Sequence, residues 1–410
     1  MHLIRCLRTR RPTHALALAA TLAGLALGCG EEPQAPEQPG EATALATTAA
    51  AGPLSFQQVS TGSSHTCGLT TGGRAYCWGQ NFKGQLGDGT LTNRSRPVAV
   101  ATTLQFATLS AGVEYTCGVT TANVAYCWGL NTSGQLGDGT ATSRVRPTAV
   151  AGGRHFRLVH PGQFHTCALT PFDEAFCWGF NSDGQLGNNT RTTSLVPVRV
   201  QSGTVRFRNV FAAARYTCGA TTGFVGKCWG RNVDGELGDG TTIRRLKPTT
   251  VTGGLSFRQV SVGMRAPTTC GLTTEDLAYC WGSNQFGAIG DGTLNYQSHP
   301  VPVSGGLHFR NLSPAGGHTC GVTADHVAYC WGDNEQTQLG DGTDTDRLEP
   351  AAVAGGLSFQ VVAAGFIHTC GIATNDRAYC WGNNQYGQLG NGTADQEASP
   401  HPTPEAVVGP

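Results

Sequence analysis

Apolar side chains recur along this chain with a period of 50 to 52 residues, beginning at Phe56. Each period opens on a spaced apolar pair such as Phe56 and Val59, which predicts a short strand with one buried face. Three more strands follow. The first bears a cysteine, the second ends in Cys-Trp-Gly, and the third begins with a proline after a GQLGDGT-like stretch. These prolines are Pro97, Pro147, Pro197, Pro248, Pro300, Pro350 and Pro400. Four short strands in each of seven periods predict an all-β propeller with one blade per period.

The turn between the second and third strands of each period can be predicted from the cysteine spacing. The two cysteines are ten positions apart, as in Cys67 and Cys77, and pairing them across a hairpin leaves a three-residue loop. The last residue of such a loop usually has positive φ, which Gly, Asn and Asp tolerate best. That position holds Gly73, Asn123, Asp173, Phe224, Asp276, His326 and Asp376. Phe224 does not fit, and the neighbouring Gly223 predicts that the fourth hairpin turns one residue earlier.

The cysteine count supports the same register. Sixteen cysteines divide into Cys6, Cys29 and seven pairs, with none left over. Zinc and redox sites use closely spaced motifs such as C-x-x-C, which the sequence lacks, so we predict disulfides and no metal. The predicted pairs are Cys67 with Cys77, Cys117 with Cys127, Cys167 with Cys177, Cys218 with Cys228, Cys270 with Cys280, Cys320 with Cys330 and Cys370 with Cys380.

The unit from Cys67 to Thr90, CGLTTGGRAYCWGQNFKGQLGDGT, resembles the repeat of the regulator of chromosome condensation (RCC1) family, in the cysteine-bearing form of exported bacterial proteins. Seven copies of W-G-x-N carry the resemblance from Phe56 to about Glu405. It implies a seven-bladed propeller, closed into a ring by chain ends that share a blade. Pro400 places the last strand of the seventh period in register, although Thr403 stands where the other periods have valine.

The N-terminal segment predicts export. A basic stretch precedes an apolar run from Ala15 to Leu27 that is too short to span a bilayer. The run ends in LALGC, which resembles a lipobox, so we predict a signal peptide over residues 1–28 and lipidation of Cys29. Ordinary cleavage in a disulfide-permissive compartment is the alternative. Residues 29–52, rich in Pro, Glu, Ala and Thr, predict an unstructured tether before the repeats of residues 53–405.

Composition and charge narrow the function. The 27 Lys and Arg residues balance 27 Asp and Glu residues, which argues against a nucleic-acid partner. The sequence contains no phosphate-binding loop and no nucleophile motif, so we predict no cofactor and no catalytic residue. The expected protein is a monomer of the bacterial cell envelope, or a secreted one, which touches a membrane only through its lipid anchor.

Three repeated positions carry candidate chemistry, and each also has a structural interpretation. Tryptophans could form an aromatic ligand site, but their identical place in each repeat favours packing between blades: Trp78, Trp128, Trp178, Trp229, Trp281, Trp331 and Trp381. The residue two positions before each first cysteine is histidine in four periods, and four imidazoles could bind a metal, but a hydrogen-bonding role is favoured. The seven residues are His65, Tyr115, His165, Tyr216, Thr268, His318 and His368. The Asp of GDGT, replaced by Asn in two periods, could bind calcium, but Asx turns are favoured: Asp88, Asp138, Asn188, Asp239, Asp291, Asp341 and Asn391.

Binding residues are expected where the repeats differ. After GDGT the first four periods are basic and the last two are acidic apart from Arg347, which predicts a face with two oppositely charged arcs, although solvated loop tips would show the same pattern. The basic residues are Arg94, Arg96, Arg144, Arg146, Arg191, Arg244, Arg245 and Lys247, and the acidic ones are Asp344, Asp346, Glu349, Asp395 and Glu397. The fifth period adds a second candidate, because Ser261 to Cys270 is two residues longer than its counterparts and includes Met264, Arg265 and Pro267.

Three hypotheses follow for function. The favoured one is a non-catalytic binding protein that presents its loop face to a protein, or alternatively a glycan. The second is the guanine-nucleotide exchange and chromatin binding implied by the resemblance, which the export signal and the disulfides oppose. The third is a lyase or hydrolase built from loops, because a propeller fold alone does not exclude an enzyme.

Overall fold

Each period of the sequence forms one four-stranded antiparallel sheet in the computed structural model, which describes residues 54–395 and 400–410. Seven such sheets confirm the predicted all-β, seven-bladed propeller. The predicted signal peptide, Cys29, the tether and Glu397 lie outside the described residues. Among the residues that are described, no helix has the length and apolar character needed to cross a membrane.

The blades follow one another along the chain. Blades 1 to 4 consist of β1 (Phe56–Thr61), β2 (His65–Thr70), β3 (Ala75–Gly79), β4 (Arg94–Ala99); β5 (Phe106–Ala111), β6 (Tyr115–Thr120), β7 (Ala125–Gly129), β8 (Arg144–Ala149); β9 (Leu158–Pro161), β10 (His165–Leu169), β11 (Ala175–Gly179), β12 (Ser194–Arg199); β13 (Phe211–Ala212), β14 (Tyr216–Ala220), β15 (Gly226–Gly230), β16 (Arg245–Thr250). Blades 5 to 7 consist of β17 (Phe257–Val262), β18 (Thr268–Thr273), β19 (Ala278–Gly282), β20 (Gln297–Pro302); β21 (Phe309–Pro314), β22 (His318–Thr323), β23 (Ala328–Gly332), β24 (Arg347–Ala352); β25 (Phe359–Ala364), β26 (His368–Ala373), β27 (Ala378–Gly382), β28 (Glu405–Ala406).

The order of strands within a blade fixes where the loops lie. First strands of neighbouring blades contact one another around a central channel, and each fourth strand lies at the rim. Because successive strands are antiparallel, the loops after the first and third strands gather at one end of the propeller, which we call the mouth face. The hairpins after the second strands and the connections between blades lie at the opposite end, the hairpin face.

The cysteine register is the same in all seven blades. Cys67 lies opposite Cys77 with 4.1 Å between their Cα atoms, and the two residues form a disulfide. Equivalent disulfides join Cys117 with Cys127, Cys167 with Cys177, Cys218 with Cys228, Cys270 with Cys280, Cys320 with Cys330 and Cys370 with Cys380. The predicted pairing of one disulfide per blade is therefore confirmed.

The hairpin loops agree with the prediction except in blade 4. The predicted loop residue has positive φ in every hairpin. The shift to Gly223 was wrong, because Phe224 itself adopts φ of 63° and Cys218 stays opposite Cys228. The Arg208 guanidinium lies 4.5 Å from the centre of the Phe224 ring and stabilises this arrangement.

One carbonyl group holds each blade to the next. In blade 1 the carbonyl oxygen of Gln85 accepts hydrogen bonds from the Trp128 indole N–H at 3.0 Å and the Thr116 hydroxyl at 2.9 Å, both in blade 2. The same pair of bonds recurs at all seven junctions, including blade 7 to blade 1, where Gln388 supplies the carbonyl. The tryptophans are fully buried, and each packs its ring near the Phe of its own first strand. Their predicted role in packing between blades is therefore confirmed.

The ring closes without a shared blade, which differs from the expectation drawn from the resemblance. All four strands of blade 1 come from the start of the described chain and all four of blade 7 from its end. The two sheets meet through contacts between blades and share no strand. One such contact is the hydrogen bond from the Phe56 amide to the Asp376 carbonyl oxygen, at 2.9 Å. The register of blade 7 also needs correction, because Glu405 pairs with Cys380 and thus Pro404, not Pro400, occupies the proline position. The blade runs on to the buried Val407, beyond the predicted boundary at 405.

Candidate functional site

The histidines before the first cysteines form part of a buried hydrogen-bonded belt. The His65 Nε2 lies 2.9 Å from the hydroxyl oxygen of Thr116 in the next blade. Because that hydroxyl donates its own proton to the Gln85 carbonyl, it accepts from His65, which fixes the imidazole as the Nε2–H tautomer. The same relay links His165, His318 and His368 to the following blade.

Burial keeps these imidazoles neutral. Removal from water lowers the pKa of His65, His165, His318 and His368 to about 3, because the charged form loses its hydration. Tyr115 and Tyr216 occupy the same position in two other blades, and their hydroxyls also reach the next blade, where they donate to the carbonyl oxygens of His165 and Thr268. Each histidine uses its Nε2–H in the relay, so the belt is a structural bond between blades.

The acids of GDGT shape the long loops of the mouth face. Asp88 accepts the backbone N–H of Thr90 at 2.9 Å and the side-chain amide of Asn81 at 3.1 Å, which is the predicted Asx turn. Its carboxylate also binds Arg94 at 2.9 Å. Hydrogen bonds from Thr90 and Arg94 outweigh the opposing effect of burial and hold the pKa of Asp88 below its ordinary value. Over the described ranges no group of three or more His, Cys, Asp or Glu residues is placed to hold a metal.

This loop structure assigns internal roles to several predicted partner-binding arginines. Arg94, Arg144 and Arg245 each bind the GDGT aspartate of their own blade, as does Arg347 in the acidic arc. Their charges are therefore largely neutralised by carboxylates that are almost completely buried. Three of the eight residues of the predicted basic arc thus also have a role within their own loops.

The other predicted basic residues lie closer to solvent. Arg96 and Lys247 are exposed on rim strands, and Arg146 lies against Gly89 of the preceding blade. Arg191 and Arg244 both donate to the Ser182 carbonyl, and Arg244 lies 3.5 Å from Asp183. In the acidic arc, Asp346 accepts the backbone N–H of Asn334 and Asp395 binds His401. The other two acids of this arc in blade 6, Asp344 and Glu349, are exposed. The two arcs are thus weaker than the sequence suggests.

Sequence reasoning missed a group of exposed apolar side chains on the mouth face of blades 4 and 5. We call them the apolar patch: Val233, Ile243, Phe286, Leu294 and Tyr296. Four of the five are more than half exposed, from 51% for Tyr296 to 65% for Val233. Blade 1 carries a smaller group, Phe82 and Leu91. The signal was present in the sequence, since each patch residue occupies a turn position where the repeat itself requires no apolar side chain.

The insertion of blade 5 lies at the mouth of the channel. Met264 is buried and reaches the channel wall, whereas Arg265 is exposed and stacks its guanidinium 4.6 Å from the centre of the Phe366 ring in blade 7. The insertion therefore connects blade 5 with blade 7 across the mouth face. Of the two predicted residues in this loop, only Arg265 is available to a partner.

The channel itself is narrowed by two residues that depart from the repeat. Most blades place Ser or Ala at this wall position, but blade 3 has His160 and blade 4 has Phe211, with ring centres 4.4 Å apart. Burial lowers the pKa of His160 to about 4. The Nδ1 atom of His160 accepts the Ala212 amide at 3.3 Å, so this pair braces blades 3 and 4.

Blade 4 also carries a charged pair where blades 1 and 7 have two amide side chains. Glu236 replaces the glutamine of GQLG and is fully buried, and Arg231 donates to it at 2.8 Å. Arg231 also binds Asp234 at 2.7 Å. Burial raises the pKa of Glu236, and the positive charge of Arg231 offsets part of that rise.

Comparisons with known proteins agree with this architecture. The family described as "Regulator of chromosome condensation (RCC1) repeat" matches residues 72–119, 124–169, 173–220, 228–265, 325–372 and 375–408, and a second form of the repeat matches 56–85, 106–135 and 360–388. Human E3 ubiquitin-protein ligase HERC2 is 34% identical over 91 residues, which are 22% of this chain and only 2% of HERC2.

Two solved structures show the same fold at low sequence identity. Human WBSCR16 has a TM-score of 0.71 and 19% identity over 78% of this chain and 88% of its own. Prp20p from Saccharomyces cerevisiae, the yeast RCC1, has a TM-score of 0.71 and 20% identity over 87% of each chain. Since the repeat matches cover more than half of the sequence and the blades have the same architecture, this chain belongs to the RCC1 repeat family.

Proposed function

We propose that this protein is an exported, non-catalytic binding protein that holds a protein partner on its mouth face. The observation that carries the proposal is the apolar patch of blades 4 and 5, which lies beside the exposed Arg244 and Arg265. In protein interfaces, the residues that contribute most of the binding energy are often exposed apolar side chains interleaved with arginine, and this patch has the same composition. The predicted basic residues Arg191, Arg244 and Lys247 border this surface and would steer an acidic partner.

The disulfides support the export part of the proposal. Fourteen of the sixteen cysteines form seven disulfides, which persist in oxidising compartments and are rare in the cytosol. A signal peptide over residues 1–28 and lipidation of Cys29 would place the propeller in the bacterial cell envelope, at the end of the tether.

Proteins of the same fold support a binding role. One solved structure shows the yeast RCC1 bound to Kap60, and the Prp20p structure is described together with its binding to Gsp1p and histones. Unlike the partners of those proteins, the proposed partner of this protein lies outside the cytoplasm, because an exported propeller meets proteins there. The protein is proposed to act as a monomer, with a glycan as the alternative ligand.

The test compares the partners captured by three forms of the protein from the native envelope after reversible cross-linking. The first is the unaltered protein, the second carries Ile243→Asp and Tyr296→Asp in the apolar patch, and the third carries Phe172→Asp on the hairpin face. Phe172 is 79% exposed, so it is a matched control for the loss of an exposed apolar side chain. We expect the patch variant to lose the captured partner and the control to retain it. Equal recovery by all three forms would show that the mouth face does not carry the function.

A further inference from the structure

The inserted loop of blade 5 separates two hollows on the mouth face. Arg265, Ala266 and Pro267 form their shared wall together with Gln163 of blade 3. The aromatic hollow, on one side, is lined by Phe286, Phe366 and the backbone of Gly316 and Gly317. The arginine hollow, on the other side, is lined by Arg215, Arg231, Asp234 and Tyr216. Their volumes are about 400 Å³ and 290 Å³, so each has room for a side chain of a partner.

Two glycines keep the aromatic hollow open. Blade 6 has Gly316 and Gly317 in the loop where blade 1, for example, has Ser63 and Ser64. A side chain at Gly316 would collide with the ring of Phe366, and one at Gly317 would begin 3.2 Å from the ring of Phe286. The space over this loop is therefore bounded by the rings of Phe286 and Phe366, and the two glycines beneath it place no side chain in it.

Arg265 presents its charge without a carboxylate partner among the described residues. One face of its guanidinium is covered by the Phe366 ring at 4.6 Å. Stacking of this kind leaves the N–H groups at the edge of the plane free, in the fork geometry that matches a carboxylate. The side chain is thus positioned before any ligand arrives, which lowers the entropy cost of binding.

The charges of the arginine hollow favour the same ligand chemistry. Arg231 is neutralised by Asp234 and the buried Glu236. Arg215 has only a longer contact of 3.4 Å with Asp183, and it is half exposed. The hollow therefore keeps a positive excess from Arg215 and Arg265. Next to the aromatic hollow, blade 6 carries Asp333, close to Gly317, and the exposed Glu335, which make this surface negative.

We infer that the two hollows bind a peptide segment of the partner in which an acidic and an aromatic side chain are neighbours. The carboxylate binds Arg265 and Arg215, and the aromatic ring enters the space between Phe286 and Phe366. The negative charge of blade 6 assigns each side chain to its hollow, because it would repel the carboxylate from the aromatic hollow. This inference rests on the proposed function and specifies the kind of partner segment that the mouth face recognises.

The test uses the acetylated and amidated peptide Gly-Ser-Asp-Phe-Ser-Gly as the probe, titrated into the disulfide-bonded protein by calorimetry. The Arg265→Glu variant is expected to weaken binding about tenfold or more, because one charge-assisted contact becomes repulsive. Arg208→Glu is the matched control, since Arg208 also stacks on a phenylalanine, at 4.5 Å, but on the hairpin face. Peptides with Asn in place of Asp, or Ala in place of Phe, should also bind about tenfold more weakly.

Saturable binding that is lost in the Arg265 variant and kept in the Arg208 variant would support the inference. Absence of saturable binding, equal binding by both variants, or preferential binding of an envelope oligosaccharide in the same assay would overturn it. The capture experiment separates this result from the proposed function. Capture that depends on the apolar patch, with no peptide binding, would mean that the mouth face binds a protein through a different segment.

Discussion

At the scale of single residues, the repeated polar side chains act as connectors between blades. The Thr116 hydroxyl accepts from His65 and donates to the Gln85 carbonyl, which also accepts from Trp128. Each group is buried and would destabilise the fold if left without a partner. The sequence shows that these positions repeat, but it does not show that the acceptor is a main-chain carbonyl, because that bond depends on how blades sit side by side.

The histidines of this belt make stability dependent on pH. Their pKa of about 3 in the folded protein lies below the ordinary value of 6.5, so the unfolded chain binds protons more readily. Stability is therefore full above pH 6.5 and is lost progressively as the pH falls toward 3. Between pH 7 and pH 5 we expect a loss of roughly 1 to 2 kcal/mol per histidine.

Denaturant unfolding at pH 7 and pH 5 measures this effect. The His165→Tyr variant, which copies the residue that blades 2 and 4 carry, should lose about a quarter of the dependence that arises from the four histidines. A free energy of unfolding that is unchanged between the two pH values would contradict the buried, neutral state of these side chains.

The charged pair of blade 4 gives a second prediction at this scale. Arg231→Gln alone should destabilise the protein by about 3 to 5 kcal/mol, because Glu236 would remain buried without its partner. The double variant Arg231→Gln, Glu236→Gln copies blade 1, where the Gln85 amide donates to Gln80 at 3.2 Å, and should recover most of that loss. Thermal unfolding of the three proteins measures the effect. A double variant no more stable than the single one would show that the charged pair is required.

At the scale of the element, hairpin chemistry was the most predictable part of the fold. The ten-residue cysteine spacing predicts the register of all seven hairpins, and the loop residues predict the turn in every blade except blade 4, since register follows from local turn geometry. Phe224 was misjudged because its positive φ is stabilised by Arg208, which is remote from the loop in sequence. Likewise, only the folded loop shows that Arg94, which the sequence predicts to bind a partner, also binds Asp88.

The disulfide of each hairpin should add stability without being required for the fold. Neither the hydrogen bonds between strands nor those from Trp and Thr to the neighbouring carbonyl need a disulfide. Replacing Cys167 and Cys177 together by Ser should cost about 2.5 to 3 kcal/mol by the entropy of loop closure. Circular dichroism should still show a folded β protein after full reduction, at a lower melting temperature. Free-thiol titration that finds fourteen reactive thiols in the denatured, unreduced protein would refute the disulfides themselves.

At the scale of the whole molecule, the ring is a set of equivalent seams. The junction of blades 7 and 1 uses the same Trp and Thr bonds as the others, so no strand needs to be exchanged. The shared closing blade that the resemblance implies is wrong, because the seventh period supplies its own fourth strand. The chain makes a longer loop before that strand, so Pro404 and not Pro400 holds the proline position. The seam itself could not be predicted from sequence, because it joins residues that are about 300 positions apart.

Equivalent seams predict that the starting point of the chain can be moved. Leu54 packs against the core cluster that contains Val407, so a short linker can join the first and last strands of the propeller. A permuted chain that begins at Thr204, in the exposed connection between blades 3 and 4, should fold with a melting temperature close to that of the original. A chain opened at Gly223, inside the hairpin of blade 4, serves as the control and should be clearly less stable. Aggregation of the first form would indicate that closure depends on the present ends.

The binding role of the mouth face is tested most directly by photo-cross-linking in the native envelope. A p-benzoylphenylalanine residue is placed at position 286 in the apolar patch and, in a separate protein, at position 172 on the hairpin face. Both positions carry a phenylalanine at the surface, 37% exposed at position 286 and 79% exposed at position 172, so both proteins keep an aromatic side chain there. We predict a discrete cross-linked protein from position 286 and none from position 172. The same product from both positions, or a product from position 172 alone, would contradict a partner bound at the mouth face.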